Sequence, residues 1–360
     1  MIWFKKYLLP GFVFQSVLIG GGYGTGRELV EFFLTTGPVA GYLGMVVSMI
    51  VWGLVMAVTY ELARLTKSYD YKSFLTQILG KGWIIYEVLL ILIAILVVSV
   101  MASAAGELSA EALGIDPLNG SIAMMILVGV IVFFGTPLIE KVFSVWSIAL
   151  YAVYIVLIII TWTVYSSEIS AVATSALGDS SWFVGGIRYA GYNIAILPAL
   201  LYSAKYLETR NEAVSAGLIG GLIGMVPAIL IYTAMLSQYP EIVSEAIPAN
   251  YLMAQLDAPI FSAIFQIILF GTFIETGIGY IHGFNERIAA IYASKGAAMP
   301  SFMRVVVAAV VLITAVFFAN LFGLIGLIAE GYGLITWGFI IVYVVPVLTI
   351  GVYRIYHSSE

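Results

Sequence analysis

The sequence predicts an all-α, polytopic membrane protein with ten membrane-spanning helices. Of its 360 residues, 62% are hydrophobic and only 10% are charged, whereas a soluble domain carries about 25% charged residues. The mean hydropathy is +1.07. A helical span needs about 20 apolar residues, so the chain has room for about ten crossings with short loops. An ordinary soluble protein is therefore excluded. A nucleic-acid partner is not expected either, because the net charge of -5 is small and dispersed.

Ten apolar runs between polar breaks supply the spans, which we number in chain order. The first five are Leu8–Leu34, Pro38–Ala63, Trp83–Ala105, Leu118–Phe134 and Val142–Tyr165. The second five are Trp182–Ala204, Ala213–Gln238, Ala258–Phe284, Val305–Phe322 and Gly333–Tyr353. We expect two halves, residues 1–165 and 166–360, that together form one structural domain.

The distribution of Lys and Arg predicts the orientation, because these residues stay on the cytoplasmic side of short loops. With the N-terminus inside, the cytoplasmic segments hold 13 of the 15 basic residues and the outside loops hold none. Those 13 are Lys5, Lys6, Arg64, Lys67, Lys72, Lys81, Lys141, Lys205, Arg210, Arg287, Lys295, Arg304 and Arg354. Both termini are predicted to be cytoplasmic, in a multi-pass protein of the cell membrane. The other two, Arg27 and Arg188, lie in the first span of each half, which is a first indication of an internal repeat.

Spans 1 and 6 carry signals for interrupted helices. Five of the seven residues of Gly20–Gly26 are glycine, and each costs a helix interior about 0.5 to 1 kcal/mol. Charged residues, Arg27 and Glu28 among them, follow directly, and charges within a membrane are functional by default. In span 6, Pro198 removes a helix hydrogen bond. Paired interruptions in two halves indicate the midplane site of a secondary transporter, whereas glycines alone also serve close helix packing.

These motifs resemble those of the LeuT-fold transporters of the amino acid, polyamine and organocation superfamily, in particular its small bacterial YkvI-like membrane proteins. The resemblance extends from Leu8 to Tyr353. It rests on Gly20–Gly26, on Tyr192–Tyr206 and on Gly271–Gly277 of span 8. It implies the LeuT fold, an inverted repeat of five plus five spans in which helices 1 and 6 are broken.

The resemblance also implies a set of site residues. The substrate would bind the chain around the two breaks, at Gly22, Tyr23, Gly24, Thr25, Gly26, Tyr192, Asn193, Ile194, Ala195 and Ile196. A coupling cation would bind near span 8, at Gly20, Tyr23, Thr272, Glu275 and Thr276. Candidates for gating or charge pairing are Arg27, Arg188 and Glu330.

The coupling ion stays open between H⁺ and Na⁺. Glu275 stands where sodium-coupled relatives have a hydroxyl residue, so its carboxylate could bind Na⁺, carry a proton or pair with Arg27. A structural role in hydrogen bonding is the simpler alternative. Arg27 replaces the asparagine of the family's second sodium site, and Lys141 lies at the edge of span 5 rather than at its middle, where sodium-independent relatives have a lysine. Na⁺ is the candidate metal ion, and no other cofactor is expected.

The predicted function is secondary active transport of a small organic solute, an amino acid or a related zwitterion, by alternating access. The solute and the lipid bilayer are the expected partners, and the chain is expected to work as a monomer. A LeuT-like membrane sensor that binds a solute without transporting it is the alternative. An enzyme is not expected, because the chain has no cysteine and only two histidines and lacks a Gly-x-Ser-x-Gly motif. The segment Pro240–Gln255 is predicted to be an outer hairpin that acts as a lid, or else a plain connector.

Overall fold

The computed structural model describes residues 2–134, 136–173 and 178–357, and all the regular secondary structure within them is helical. Each predicted span corresponds to one helix or to one interrupted helix, which is consistent with ten crossings. Five described helices are each long and apolar enough to cross a bilayer, or six if a bent pair is counted as one span. The number is below ten because some spans are interrupted or short, and because spans 9 and 10 form one continuous helical run. The predicted all-α polytopic fold is confirmed.

Six of the spans are uninterrupted helices. They are Pro38–Thr66 for span 2, Trp83–Leu113 for span 3, Pro117–Phe134 for span 4, Thr136–Val164 for span 5, Arg210–Met235 for span 7 and Pro259–Ser294 for span 8. Span 5 is followed after a bend of 84° by the short helix Ser166–Ala173. Lys141 lies within span 5, but its side chain is outside the described residues.

Spans 9 and 10 follow each other without a polar loop. Span 9 is Ser301–Gly326 and turns at Gly323, whose φ of 65° lies in the left-handed region that favours glycine. Span 10 then runs through Leu327–Tyr332 and Gly333–Phe339 and ends in the helix Val352–His357, with π-helical turns along it. It therefore begins before Gly333, the start that hydropathy predicted. A turn at one glycine is enough to connect the two spans, because both helices are apolar up to the bend.

The spans pack as two groups. Spans 1, 2, 6 and 7 contact one another, as do spans 3, 4, 8 and 9. Spans 2 and 7 approach very closely through small residues, since a Cβ atom on Gly221 would lie 2.7 Å from the backbone nitrogen of Gly53, and one on Gly217 would overlap the backbone of Ala57. Trp52 of span 2 also donates its indole N–H to the carbonyl of Ala190 in span 6, at 3.1 Å. Span 2 is thus the support against which spans 6 and 7 are held.

Contacts between helix ends define two opposite faces. On the basic face, the Lys6 ammonium pairs with Glu208 at 2.6 Å, and the Arg354 guanidinium donates to Gln77 at 3.1 Å. The segment before span 1 therefore meets the loop after span 6, and the end of span 10 meets the segment after span 2. The predicted segmentation requires these helix ends to lie on one face. On the acidic face, Glu111 accepts a hydrogen bond of 2.5 Å from Asn250.

The Lys6 ammonium holds its charge on the basic face. The hydrogen bond from Lys6 to Glu208, together with one to Glu212, raises the pKa of Lys6 above its ordinary value. Because a lysine is already protonated at neutral pH, this ammonium group stays charged in the physiological range.

Candidate functional site

The first break interrupts span 1 between two helical pieces. The helix Leu9–Leu18 is followed by a single turn, Gly21–Gly24, and then by the second helix, Arg27–Phe32. Gly26 joins them with a φ of 78°, a left-handed conformation that L side chains rarely adopt. The hydroxyl of Thr25 donates to the carbonyl of Gly22 at 2.8 Å, which satisfies one of the freed groups. The predicted interruption is confirmed.

The second break interrupts span 6. The helix Trp182–Ile194 ends, and the chain continues as the 3₁₀ helix Leu197–Tyr206, which has Pro198 in its first turn. A proline in this place cannot donate a backbone hydrogen bond and its ring crowds the preceding turn, which disfavours continuation of the α-helix. Asn193 donates its side-chain amide to the carbonyl of Tyr189 at 3.0 Å, one turn back along the same helix.

A tyrosine from a neighbouring span completes each break. The Tyr154 hydroxyl of span 5 donates to the carbonyl of Gly24. The Tyr86 hydroxyl of span 3 donates to the carbonyl of Ala195 at 2.5 Å. An unpaired carbonyl in an apolar interior is costly, so these hydroxyls stabilise the interrupted backbone. Sequence reasoning missed both tyrosines, because nothing local links them to the breaks.

The two breaks open onto one cavity of about 60 Å³, whose wall comes from spans 1, 3, 6, 8 and 10. Five of the ten predicted substrate residues lie in this wall: Gly22, Tyr192, Asn193, Ala195 and Ile196. The other five, Tyr23, Gly24, Thr25, Gly26 and Ile194, lie beside it without contributing to the wall. The structure thus brings the two breaks together, and the binding roles of these residues stay predictions.

The predicted cation residues are divided in the same way. Gly20 and Thr276 both line the cavity and face each other, since a Cβ atom on Gly20 would lie 3.8 Å from the Thr276 hydroxyl. The hydroxyl of Thr272 donates to the carbonyl of Ile268 on its own helix at 2.9 Å. Glu275 does not belong to the cavity wall, because successive residues of an α-helix point about 100° apart. A coupling ion at this set stays a prediction.

Glu28 places a carboxylate in the cavity wall, and the predicted site residues did not include it. Its side chain is 5% exposed, and its Oε2 accepts a hydrogen bond of 2.5 Å from the Tyr192 hydroxyl. The carboxyl lies against Gly22, where a Cβ atom would overlap it. The signal in the sequence was an acidic residue directly after the glycine break. The Glu28 side chain points toward the cavity rather than toward Arg27 because of the path of the backbone after the break.

Arg27 points away from the cavity, toward the acidic face. Its guanidinium donates to the carbonyls of Val243 at 2.8 Å and Glu245 at 3.1 Å, and it pairs with Glu31 at 2.9 Å. The ion pair of Arg27 among the described contacts is with Glu31, and the role of Glu275 stays a prediction.

The hairpin Pro240–Gln255 lies directly over the first break. It contains the helix Pro248–Ala254, and the backbone N–H of Ala249 donates to the carbonyl of Thr25 at 2.9 Å. Together with the bonds from Arg27, this contact closes the acidic side of the cavity.

The other arginine within a span, the half-buried Arg188, bonds to a backbone carbonyl rather than to a carboxylate. Arg188 donates to the carbonyl of Ala329 at 2.8 Å and lies over the ring of Phe32, with its guanidinium carbon 5.5 Å from the centroid. Within the described part of the chain, the Arg188 side chain thus bonds to the residue before Glu330 and not to the Glu330 carboxylate. Arg188 joins spans 6 and 10 near the cavity.

The described residues contain no group of three or more His, Cys, Asp or Glu side chains able to hold a metal ion.

No protein-family model matches the chain. The chain is similar to the uncharacterized membrane protein YkvI of Bacillus subtilis (strain 168), with 26% identity over 293 residues, which cover 79% of this chain and 81% of YkvI. Among solved structures, MhsT in complex with L-phenylalanine is similar with a TM-score of 0.61 and 14% identity, over 98% of both chains.

A second similar structure is the manganese transporter of Eremococcus coleocola in complex with an aromatic bis-isothiourea compound. Its TM-score is 0.61 and its identity 13%, over 96% of this chain and 78% of the other. The predicted resemblance to YkvI-like proteins and the predicted LeuT fold are confirmed. The chain is a multi-pass membrane protein with this fold.

Proposed function

We propose that the protein is a secondary transporter that moves a small organic solute across the cell membrane by alternating access. The observation that carries the proposal is the single cavity onto which both interrupted helices open. Interrupted helices at the midplane are a hallmark of secondary transporters. The shared fold adds support, since one similar structure is a manganese transporter and another binds L-phenylalanine.

The contacts on the acidic side of the cavity indicate the state of the transporter. Span 3 lines the cavity from Leu90 to Met101 and span 8 lines it with Thr276 and Tyr280, so the cavity lies near the middle of both helices. Its acidic side is closed by Arg27 and the hairpin. With the basic face in the cytoplasm, as the distribution of Lys and Arg predicts, the solute site is closed to the outside and both chain termini are cytoplasmic.

We expect the solute to be an amino acid or a related zwitterion. Backbone N–H and C=O groups freed at two helix breaks can bind a carboxylate and an ammonium group at the same time. A cavity of about 60 Å³ has room for a few water molecules, so the site closes around a small solute or widens to admit a larger one.

Reconstitution of the full-length protein into liposomes tests the proposal. Uptake of labelled glycine, L-alanine and L-phenylalanine is measured with an imposed Na⁺ gradient, with an imposed pH gradient and with neither, against protein-free liposomes. Gradient-dependent accumulation of at least one amino acid supports transport. Binding in a thermal-shift measurement without flux under any gradient contradicts transport and supports the sensor alternative.

A further inference from the structure

Glu28 is a buried acid without a cationic partner. An ionised carboxylate away from water is strongly disfavoured unless a positive charge or several hydrogen bonds compensate it. Among the ion pairs of the described residues, none includes Glu28, and its one side-chain hydrogen bond comes from Tyr192. Its sequence neighbour Arg27 is directed at the acidic face, and Arg188 is bound to the carbonyl of Ala329.

The groups that face Glu28 are aromatic and uncharged at neutral pH. Its own span contributes Tyr23, span 6 contributes Tyr189 and Tyr192, span 8 contributes Tyr280 and span 10 contributes Tyr332. Span 3 adds only apolar side chains to the cavity wall. Glu28 is therefore the one formally charged residue of the wall as described. The negative faces of aromatic rings attract cations, so this environment favours a positive group beside the carboxylate.

The geometry brings a carboxylate and aromatic rings together at one cavity. The Glu28 carboxyl occupies the place that a side chain on Gly22 would take, and Tyr192 and Tyr332 are stacked with their ring centroids 4.6 Å apart. The Glu28 carboxyl and both rings border the same cavity. A carboxylate next to stacked tyrosines is a combination of charge and aromatic surface that suits an ammonium group.

We propose that Glu28 is the counter-ion for the positively charged amine of the transported solute, and that a proton takes the place of this amine when the solute leaves. The inference rests on the proposed transport function and adds the chemical group that the site selects. In the empty site the protonated carboxyl is neutral and needs no partner. When the amine binds, the carboxyl releases its proton to water and becomes the partner of the ammonium group.

Proton and amine thus compete for one carboxyl, which exchanges them across the membrane. Below the pH at which the carboxyl titrates, the affinity for the amine should fall about tenfold for each pH unit, because one proton must leave for each amine that binds. The carboxylate of an amino acid contributes separately, through the backbone at the breaks.

The test uses purified full-length protein in detergent with three compounds for each of alanine and phenylalanine: the amino acid, the amine without its carboxylate, and the N-acetyl derivative without its positive charge. Binding and proton release are measured together by calorimetry in buffers of different ionisation enthalpy. The proposal expects the amines to bind with release of one proton and the N-acetyl compounds not to bind. Glu28→Gln should abolish the proton release and weaken amine binding by a hundredfold or more, about 2.7 kcal/mol.

Two further measurements keep the test decisive. Glu286→Gln removes a carboxylate from an exposed pair on the basic face and should leave amine binding and proton release unchanged. Infrared difference spectra of wild type and Glu28→Gln should reveal a protonated carboxyl at neutral pH that only the wild type has, which requires no bound compound.

Failure of the inference is distinct from failure of transport. Equal amine binding by Glu28→Gln, binding of the N-acetyl compounds, no binding of either amine, or absence of the carboxyl band from the wild type would each overturn the inference. Flux of amino acids in liposomes can persist in all four cases. Conversely, amine binding with proton release but without flux would leave Glu28 as the counter-ion of a sensor and refute transport alone.

Discussion

At the scale of single residues, the site depends on glycines that keep space for other side chains. Gly22 gives its space to the carboxyl of Glu28, and Gly26 adopts a φ of 78° at the entry of the second half of span 1. These two requirements differ, because the first concerns packing and the second concerns backbone conformation. Both explain why this segment carries so many glycines although glycine weakens a helix.

Gly22→Ala should displace the carboxyl of Glu28 and break its hydrogen bond with Tyr192. A methyl group at this position overlaps the carboxyl, and such overpacking costs about 1 to 3 kcal/mol of unfolding free energy. We expect a lower thermal unfolding temperature and loss of solute binding. Gly283→Ala is the control, because nothing lies within 4 Å of the added atom. Normal binding by Gly22→Ala would place the solute away from Glu28.

Glu275→Gln tests whether the predicted coupling site near span 8 works. If the charge of Glu275 senses the driving ion, exchange of labelled solute should survive in liposomes, whereas accumulation driven by a gradient should fail. Thr276→Ala should weaken cation dependence only if the ion is Na⁺, since a proton needs no hydroxyl ligand. Wild-type accumulation by Glu275→Gln, with unchanged pH and Na⁺ dependence, would assign the glutamate a structural role.

At the scale of elements, small residues decide how the spans approach each other. Spans 2 and 7 are in backbone contact at Gly53 and Gly221 and at Ala57 and Gly217. In a membrane, close packing and hydrogen bonds hold helices together, because lipid is as apolar as the side chains. Gly217 and Gly221 of span 7 therefore serve the close approach of two helices, whereas Gly22 and Gly26 of span 1 serve the site.

Gly221→Ala should separate spans 2 and 7. The added methyl group would lie 2.7 Å from backbone atoms of Met49 and Gly53, which cannot turn aside as a side chain can. We expect a loss of about 1 to 3 kcal/mol in unfolding free energy, measured by unfolding in detergent. Leu222→Ala, at a half-exposed position of the same span, should lower stability by much less. Equal effects of the two changes would show that this contact is loose.

At the scale of the whole molecule, an inverted repeat of residues 1–165 and 166–360 implies a second state. In the present state the hairpin and Arg27 close the acidic side of the cavity. If the two halves exchange conformations, the acidic side opens and the basic side closes. The bonds from Arg27 to Val243 and Glu245 must then break, whereas the pairs of Lys6 on the basic face should persist or tighten.

Labelling of single cysteines can determine the orientation directly, because the natural chain contains no cysteine. Glu241→Cys changes an exposed position on the acidic face, and Lys67→Cys changes an exposed position after span 2 on the basic face. A thiol reagent that cannot cross membranes should label the first variant in intact cells and the second only after lysis. The reverse pattern would invert the proposed topology, and labelling of both in intact cells would refute the odd number of crossings, spans 3 to 7, that separates the two positions.

Much of the fold and part of the site follow from the sequence alone. Apolar runs, the glycines of Gly20–Gly26 and Pro198 act through consecutive residues, so the spans and both helix breaks were predictable from local propensity. The position of the basic residues likewise predicted which helix ends lie together, as the contact of Lys6 with Glu208 bears out.

The tertiary structure alone decided which side chains complete the site. Glu28 meets Tyr192 from 164 residues away, and Tyr86 and Tyr154 reach the freed carbonyls from spans 3 and 5. A local pattern specifies that a backbone group is freed, but which donor satisfies it depends on how distant spans pack. For the same reason the sequence did not predict that Arg27 bonds to the hairpin: the direction of a side chain on an interrupted helix follows the turn of the backbone at Gly26, which spacing along a regular helix does not predict.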